Sequence, residues 1–369
     1  MISRFIRHLD FVEISGNHYE MGKDIGHLYK NVIDQAIKVL YSSQSVQRSK
    51  PAVVPIFLLR AYIRIIAINL RKKIEKKFPE MHEYMRGLSE GAELDILTLY
   101  EINLFESLSG DIKFEMALPG GCTGYCSANL IGKNYDFPLE FEPFQFVRLS
   151  RPKGKHAVLA CTHHPIPGTH DGINDAGLTI LYTYKYCLDY DLEGIPNTIL
   201  IQYALENFDN ADDAVEFFKK AERATGASFL IADGKNAYVL ETSGKKYSLR
   251  TGDKMATANI YVSQEMKSVE IPRDTHFKLK GLTHIRVLES SEKRLKRMEE
   301  MLNGINTVED LIKAFSDHGP EEIGSDNTIC RHADFWKTLS TQIFVPSEKK
   351  LVVCSGNPCA SVFDEFCIR

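Results

Sequence analysis

No stretch of this 369-residue chain offers the roughly 20 uncharged apolar residues that a membrane span requires. The most apolar run, Ile56 to Leu70, is interrupted by Arg60 and Arg64, so it reads as a buried helix and no membrane partner is expected. Basic residues are not in excess: 45 Lys and Arg stand against 49 Asp and Glu, for a net charge of -4. With a sequence pI near 6.3, nothing favours nucleic acid as a partner. Cysteine is sparse, and no two of the 8 are spaced Cys-x-x-Cys. A disulfide scaffold, structural zinc and a redox dithiol are therefore poorly supported, and free thiols are expected. The first ten residues break their apolar side chains with charge too often for a signal peptide, which points to the cytoplasm. Repeats, low-complexity tracts and Gly/Ser linkers are also missing, which argues against dividing the fold.

With 44% hydrophobic and 25% charged residues, the chain can bury a large core. Its first 110 residues read as mostly helical after a short strand around Phe11 to Ile14. Apolar residues recur at helical spacing through Met21, Ile25, Leu28, Val32, Ile33 and Ile37. Further helices are predicted from Val54 to Lys77, from Pro79 to Ala92 with Pro79 in the first turn, and from Ile96 to Leu108 with Asp95 as a cap. Beyond residue 120 the pattern turns to short strands: Phe146 to Leu149, Ala157 to Thr162, Leu178 to Tyr184, Ser228 to Ala232 and Ala237 to Thr242. Asp233-Gly234 marks a hairpin. Helices return at Asn197 to Glu206, Ala211 to Ala221 and Ile285 to Leu302, the last with Ile285, Leu288, Leu295, Met298 and Leu302 on one face. A strand pair, Thr341 to Val345 and Leu351 to Cys354, closes the chain. Helices stacked outside packed sheets are the expected result.

The chemistry concentrates at Gly120-Gly121-Cys122-Thr123-Gly124-Tyr125, with Lys133-Asn134-Tyr135-Asp136 following within one hairpin length. Glycine tolerates the backbone angles that internal attack on the peptide bond before Cys122 would need. If that bond were cut, the freed α-amine, with a reference pKa near 7.7 to 8.0, could act as base for the Cys122 thiol. The alternative is a turn leading into a strand with a small buried thiol as filler.

Several segments, in order, resemble one family: Gly121-Cys122-Thr123, Lys133-Asn134-Tyr135-Asp136, Gly172-Ile173-Asn174-Asp175-Ala176-Gly177-Leu178, Cys330-Arg331-His332 and Ser355-Gly356-Asn357-Pro358-Cys359. Two helical segments agree, Gly16-Asn17-His18-Tyr19-Glu20-Met21-Gly22 and Met85-Arg86-Gly87-Leu88-Ser89-Glu90-Gly91-Ala92. The family is the acyl-coenzyme A:6-aminopenicillanic acid acyltransferase-like group of N-terminal nucleophile (Ntn) hydrolases, relatives of penicillin V acylase and bile-salt hydrolase. The resemblance implies an α+β fold, an αββα sandwich with a mostly helical N-terminal segment. It also implies cleavage between Gly121 and Cys122, with residues 1–121 retained as a small subunit beside a catalytic subunit of 122–369, together one structural domain. Cys122 would then attack an amide or thioester carbonyl of a small N-acyl substrate and form an acyl-enzyme that water or an amine resolves.

By the same resemblance Asp136 orients the new α-amine. Asn174 and Asn259 are candidates for the oxyanion hole, although either asparagine could be an ordinary turn residue. Arg331 could hold an acyl carboxylate or support the nucleophile, or be a solvated arginine. Lys133, Asn134 and His170 are candidates for substrate contact. No cofactor is expected, and acyl-coenzyme A as donor is left open, as is homo-oligomerisation beyond the heterodimer of cleaved subunits. His163, His164 and His170 with Asp171 could instead bind zinc. Neighbouring histidines on a strand point to opposite faces, and although Pro165 and Pro167 could break the strand, polar lining beside Asn174 is the more ordinary reading and no metal is expected there. An unprocessed, non-catalytic binding protein is the rival reading.

Overall fold

The computed structural model describes residues 8–43, 56–109, 121–277, 283–320, 322–333 and 336–369. Expectations that fall on residues 1–7, 54–55 or Gly120 lie outside the described residues. The chain opens with strand β1 (Asp10–Gly16) and helices α1 (His18–Ser42), α2 (Ile56–Lys77), α3 (Pro79–Gly91) and α4 (Ile96–Ser109). Local signals explain the helix starts. The Asn17 side chain accepts the Glu20 N–H, and the Glu20 carboxylate accepts the Asn17 N–H, closing a capping box. Pro79 occupies the first turn of α3, and Asp95 accepts the Leu97 N–H at the start of α4. Helices α1 and α3 touch backbone to backbone because glycines meet there. A Cβ on Gly22 would lie 2.1 Å from the Tyr84 carbonyl, and one on Gly87 would lie 2.0 Å from that of Tyr19.

Strands β2 (Gly121–Cys126), β3 (Ile131–Phe137), β4 (Gln145–Pro152), β5 (Val158–His163), β6 (Asp171–Asn174) and β7 (Thr179–Lys185) follow. After α5 (Asn197–Asn207) and α6 (Ala211–Lys220) come β8 (Gly226–Ala232), β9 (Ala237–Thr242), β10 (Tyr247–Thr251) and β11 (Met255–Thr257). The chain ends with α7 (Glu289–Met301), α8 (Val308–Phe315), β12 (Lys337–Val345), β13 (Lys350–Ser355) and β14 (Asp364–Cys367). The Asp233-Gly234 hairpin joins β8 to β9 as its sequence predicts, with Gly234 at a φ of 86°. Helix α7 begins later than Ile285. Residues before it run extended, Phe277 donating to the Ile285 carbonyl and Val287 to that of Thr275. Strand β12 begins before Thr341, because its polar residues pair with β3 through Lys337 across a register shift between Thr338 and Ser340.

The strands form two sheets. The larger runs β1-β4-β5-β6-β7-β8-β9-β10 and the smaller β11-β2-β3-β12-β13-β14. All pairs are antiparallel except β1 with β4, which places the first strand of the helical segment at the edge of the larger sheet. The sheets face each other through Val147, Leu159, Leu181 and Val239 on one side and Ile131, Phe344, Leu351 and Val353 on the other. Helices α5 and α6 cover the outside of the larger sheet, and α7 and α8 that of the smaller. The fold is thus α+β with the expected αββα layering. Among the described residues no helix is long and apolar enough to cross a membrane, and all eight cysteines are free thiols.

Candidate active site

Cys122 is the second residue of β2 and lies opposite Tyr135 of β3, which sets Gly121 opposite Asp136. Because strand residues alternate faces, the Cys122 side chain turns between the sheets with Lys133 and Tyr135, and Thr123, Asn134 and Asp136 turn toward the outer helices. Cys122 lines a cavity of about 140 Å³. Tyr135, Phe137, Phe141, Phe144, Tyr182 and Tyr184 supply most of its aromatic wall. Ala36 and Leu40 from α1 and Ile102 and Asn103 from α4 close it, so two of the N-terminal helices form part of this wall. Burial pushes the Cys122 thiol up to about 11, partly opposed by the nearby Lys133 ammonium. In the intact chain the thiol is therefore protonated and needs a base.

A second, polar cluster lies on the main-chain side of Cys122. The Cys122 N–H donates to Asn259 Oδ1 at 2.9 Å, and the Cys122 carbonyl accepts from Arg294 Nη1 at 2.7 Å. Arg294 also donates to Thr123 Oγ1, Asn259 Oδ1, Ser291 Oγ and Ser290 Oγ. Asn259 Nδ2 donates to the Tyr184 carbonyl at 3.0 Å. Asp136 Oδ1 accepts from Thr338 Oγ1 at 2.7 Å, and Asp136 Oδ2 has no hydrogen-bond partner among the described residues. That oxygen lies against Gly121, where a Cβ would come within 2.8 Å of it, and 3.8 Å from Arg294 Nη1. Arg331 Nη1 stands 3.6 Å from the same oxygen, and its Nη2 bonds Asp326. The structure therefore brings Cys122, Asp136, Asn259 and Arg331 together around Gly121, and it adds Arg294. Burial and the neighbouring Arg331 lower Arg294 to about 10, so it stays a cation at neutral pH.

Three candidates have other tasks. Asn174 does not reach this cluster. Its Nδ2 donates to the Leu205 and Phe208 carbonyls, and its Oδ1 accepts the Ala176 and Leu178 N–H groups. It closes the β6–β7 turn and has no amide hydrogen left for an oxyanion. Asn134 is committed likewise, donating to the Phe315 and Ile329 carbonyls and accepting from Thr341. Lys133 does line the cavity, but its ammonium is bound to Asp171 Oδ1 at 2.7 Å and to the Tyr182 carbonyl at 2.7 Å. It is a paired charge, not a free contact for an anionic substrate.

His170 lines the cavity together with His163 and His164. Among the described residues these three do not form a group able to share one metal ion. Burial depresses His163 and His164 to about 3 and His170 well below its ordinary value, so all three are neutral at pH 7. The unfolded imidazoles take up protons below about pH 6.5 while the folded ones do not, so stability is expected to fall as pH drops from there toward 3. At pH 5 the loss is about 2 kcal/mol each for His163 and His164. Urea midpoints at pH 7 and pH 5 measure it. His164→Phe, which keeps the ring stacked on Phe146, should flatten the slope by about one proton.

Two residues at the site were not read from the sequence. Arg294 sits four residues before Met298 on the core face of α7, and that placement of a charge was the available signal. Tyr184 lines the cavity and its carbonyl holds Asn259, but in sequence it is only one more strand aromatic.

A model of the acyl-coenzyme A:6-aminopenicillanic acid acyl-transferase family matches residues 123–360. The chain is 22% identical over 302 residues to the 40 kDa form of acyl-coenzyme A:6-aminopenicillanic-acid-acyltransferase of Emericella nidulans, covering 79% of each chain. Among solved structures it is similar to a Caenorhabditis elegans ortholog of N-acylethanolamine-hydrolyzing acid amidase, at 12% identity and a TM-score of 0.43, covering 61% of this chain and 93% of that one. It is also similar to a variant of conjugated bile acid hydrolase from Clostridium perfringens, at 15% identity and a TM-score of 0.41, covering 67% of this chain and 97% of that one.

Proposed function

The chain belongs to the acyl-coenzyme A:6-aminopenicillanic acid acyl-transferase family, and from that membership we propose that it is a cysteine Ntn amidase that cuts itself before Cys122. The observation that carries this reading is the position of Cys122 between two unlike environments, an aromatic cavity on its side-chain face and a polar cluster at its amide. In the cutting step the Cys122 sulfur bonds to the Gly121 carbonyl carbon as the C–N bond breaks, and the thiol proton passes to the departing nitrogen. Water then hydrolyses the thioester, leaving a Gly121 carboxylate and a free Cys122 amine. Asp136 Oδ2, which has no hydrogen bond among the described residues and faces the guanidinium groups of Arg331 at 3.6 Å and Arg294 at 3.8 Å, is the acceptor for that amine, which becomes the base for the thiol. Asn259 supplies a neutral donor for the oxyanion. Residues 1–121 stay bound after the cut, because their strand β1 is paired in the larger sheet and their helices wall the cavity.

The substrate is a neutral amide with a small apolar or aromatic acyl group. About 140 Å³ is near the volume that admits a benzene-sized guest into an apolar cavity. Among the described residues that line it, the one Lys, Arg, Asp or Glu is Lys133, and Asp171 behind it neutralises that charge. A carboxylate on the acyl chain would be buried without a partner, so its turnover should be at least ~100-fold slower. Hydrolysis of a set of acyl p-nitroanilides tests this. Phenylacetyl and butyryl derivatives should release nitroaniline and leave their acyl mass on the peptide that begins with Cys122. Phe141→Ala should shift preference toward longer acyl chains by about 10-fold or more. A preference for succinyl over butyryl, or an acyl adduct on any other residue, would overturn the reading. Water is the acceptor favoured here, and an added amine that diverts the acyl group would extend the same chemistry to transfer.

A further inference from the structure

Just past α8, three segments distant in sequence bring His318, Cys330, His332 and Cys359 into one group whose ligand atoms all lie within 4.8 Å of one another. His332 Nε2 is 3.1 Å from His318 Nε2, 3.3 Å from Cys330 Sγ and 3.4 Å from Cys359 Sγ. A single ring nitrogen has either one hydrogen or one lone pair, so it cannot satisfy three such neighbours by hydrogen bonds. A shared cation can. Zinc–sulfur bonds near 2.3 Å and zinc–nitrogen bonds near 2.0 to 2.1 Å in a tetrahedron put neighbouring nitrogens about 3.3 Å, nitrogen and sulfur about 3.6 Å and two sulfurs about 3.8 Å apart, and the nitrogen–nitrogen and nitrogen–sulfur spacings seen are close to these.

We propose that His318, Cys330, His332 and Cys359 bind one zinc ion as a structural site that pins the loop carrying Arg331. The surroundings suit that role. Asn357 Nδ2 lies 3.4 Å from Cys330 Sγ, placed to donate to a thiolate, and donates to the Arg331 carbonyl at 2.7 Å. The Cys330 N–H is held by the Asp317 carbonyl and the His332 N–H by that of Ser325. Gly324 lets the chain lie flat on the His332 ring, since a Cβ there would come within 2.3 Å of Cδ2. Such partners to ligands fix ring and thiolate orientation. Four protein ligands leave no open position, so the ion would do no chemistry on a substrate. Its effect is positional, because Arg331 stands between two of the ligands and its guanidinium lies over Trp336, 3.6 Å from Asp136 Oδ2. This reverses the expectation of no structural zinc, which rested on the missing Cys-x-x-Cys spacing.

Metal analysis of the full chain, purified without chelator, should find about one zinc per chain. His318→Ala removes a half-buried ligand and Cys359→Ser an exposed one, and each should lower that to below about 0.2 while far-ultraviolet circular dichroism is retained. Wild type reloaded with cobalt should show tetrahedral d–d absorption with a thiolate-to-cobalt charge-transfer band, a readout that does not depend on any variant folding. A wild-type chain that neither contains zinc nor takes up zinc or cobalt overturns the proposal. So do a Cys330–Cys359 disulfide in non-reducing peptide maps, zinc content unchanged in both variants, or iron or copper in zinc's place. Cys122→Ala should hold the same zinc, so failure of the nucleophile reading and failure of the metal site are distinguishable.

Discussion

Cys122→Ala is expected to leave the purified chain whole, whereas wild type separates under denaturing conditions into one fragment ending at Gly121 and one beginning at Cys122. Turnover of an acyl p-nitroanilide should fall at least ~10⁴-fold in the same variant, because among the described residues Cys122 is the one thiol that lines the cavity. Alanine removes only the thiol, and the Cys122 N–H and carbonyl can keep their bonds to Asn259 and Arg294. The variant should therefore fold with an unchanged thermal midpoint. Cys122→Ser separates the two activities further. A hydroxyl is a far poorer nucleophile near neutral pH than a thiol, so processing should slow to hours and turnover should stay close to background. Wild type that remains one chain and takes no acyl label would sink the enzyme reading and favour a binding protein built on this fold.

Asp136 could be placed on the strand beside Cys122 from the sequence because a short β-hairpin leaves little freedom, and the register then sets it opposite Gly121. Layering was legible for the same kind of reason, since short strand patterns and amphipathic helices must bury one face each. Asn174 misled because an asparagine in a Gly-rich turn looks the same whether its amide faces a substrate or its own backbone. Only the approach of Leu205 and Phe208 from α5 and its end decides that. Asn134 and Lys133 show the limit again, since their partners at Phe315, Ile329 and Asp171 come from other elements. His318 and Cys359 are brought to Cys330 and His332 by tertiary packing, so no local spacing rule could have grouped them. Arg294 was hidden for a different reason. A helix with Lys and Glu along one side invites reading every charge on it as solvated, yet this one is almost wholly buried at 1% exposure.

Arg294 carries the second large effect. Guanidinium has five N–H donors in a fixed plane, and here each meets one oxygen: Cys122 O, Thr123 Oγ1, Asn259 Oδ1, Ser291 Oγ and Ser290 Oγ. Lysine retains the charge but offers only three donors from one point, so Arg294→Lys should slow processing and turnover about 100- to 1,000-fold, the range found for loss of one oxyanion donor. Arg294→Met keeps the bulk and removes the charge beside the nucleophile's backbone. A cation there makes a protonated amine costlier, so without it the amine's pKa should rise and the acid limb of kcat/KM should move to higher pH. Arg294→Lys should leave that limb in place. A role confined to bracing α7 against β2 would lower the thermal midpoint of both variants and shift neither limb. The separation between rate loss in one variant and pH shift in the other thus decides whether Arg294 positions the reacting amine or only holds the helix that carries it.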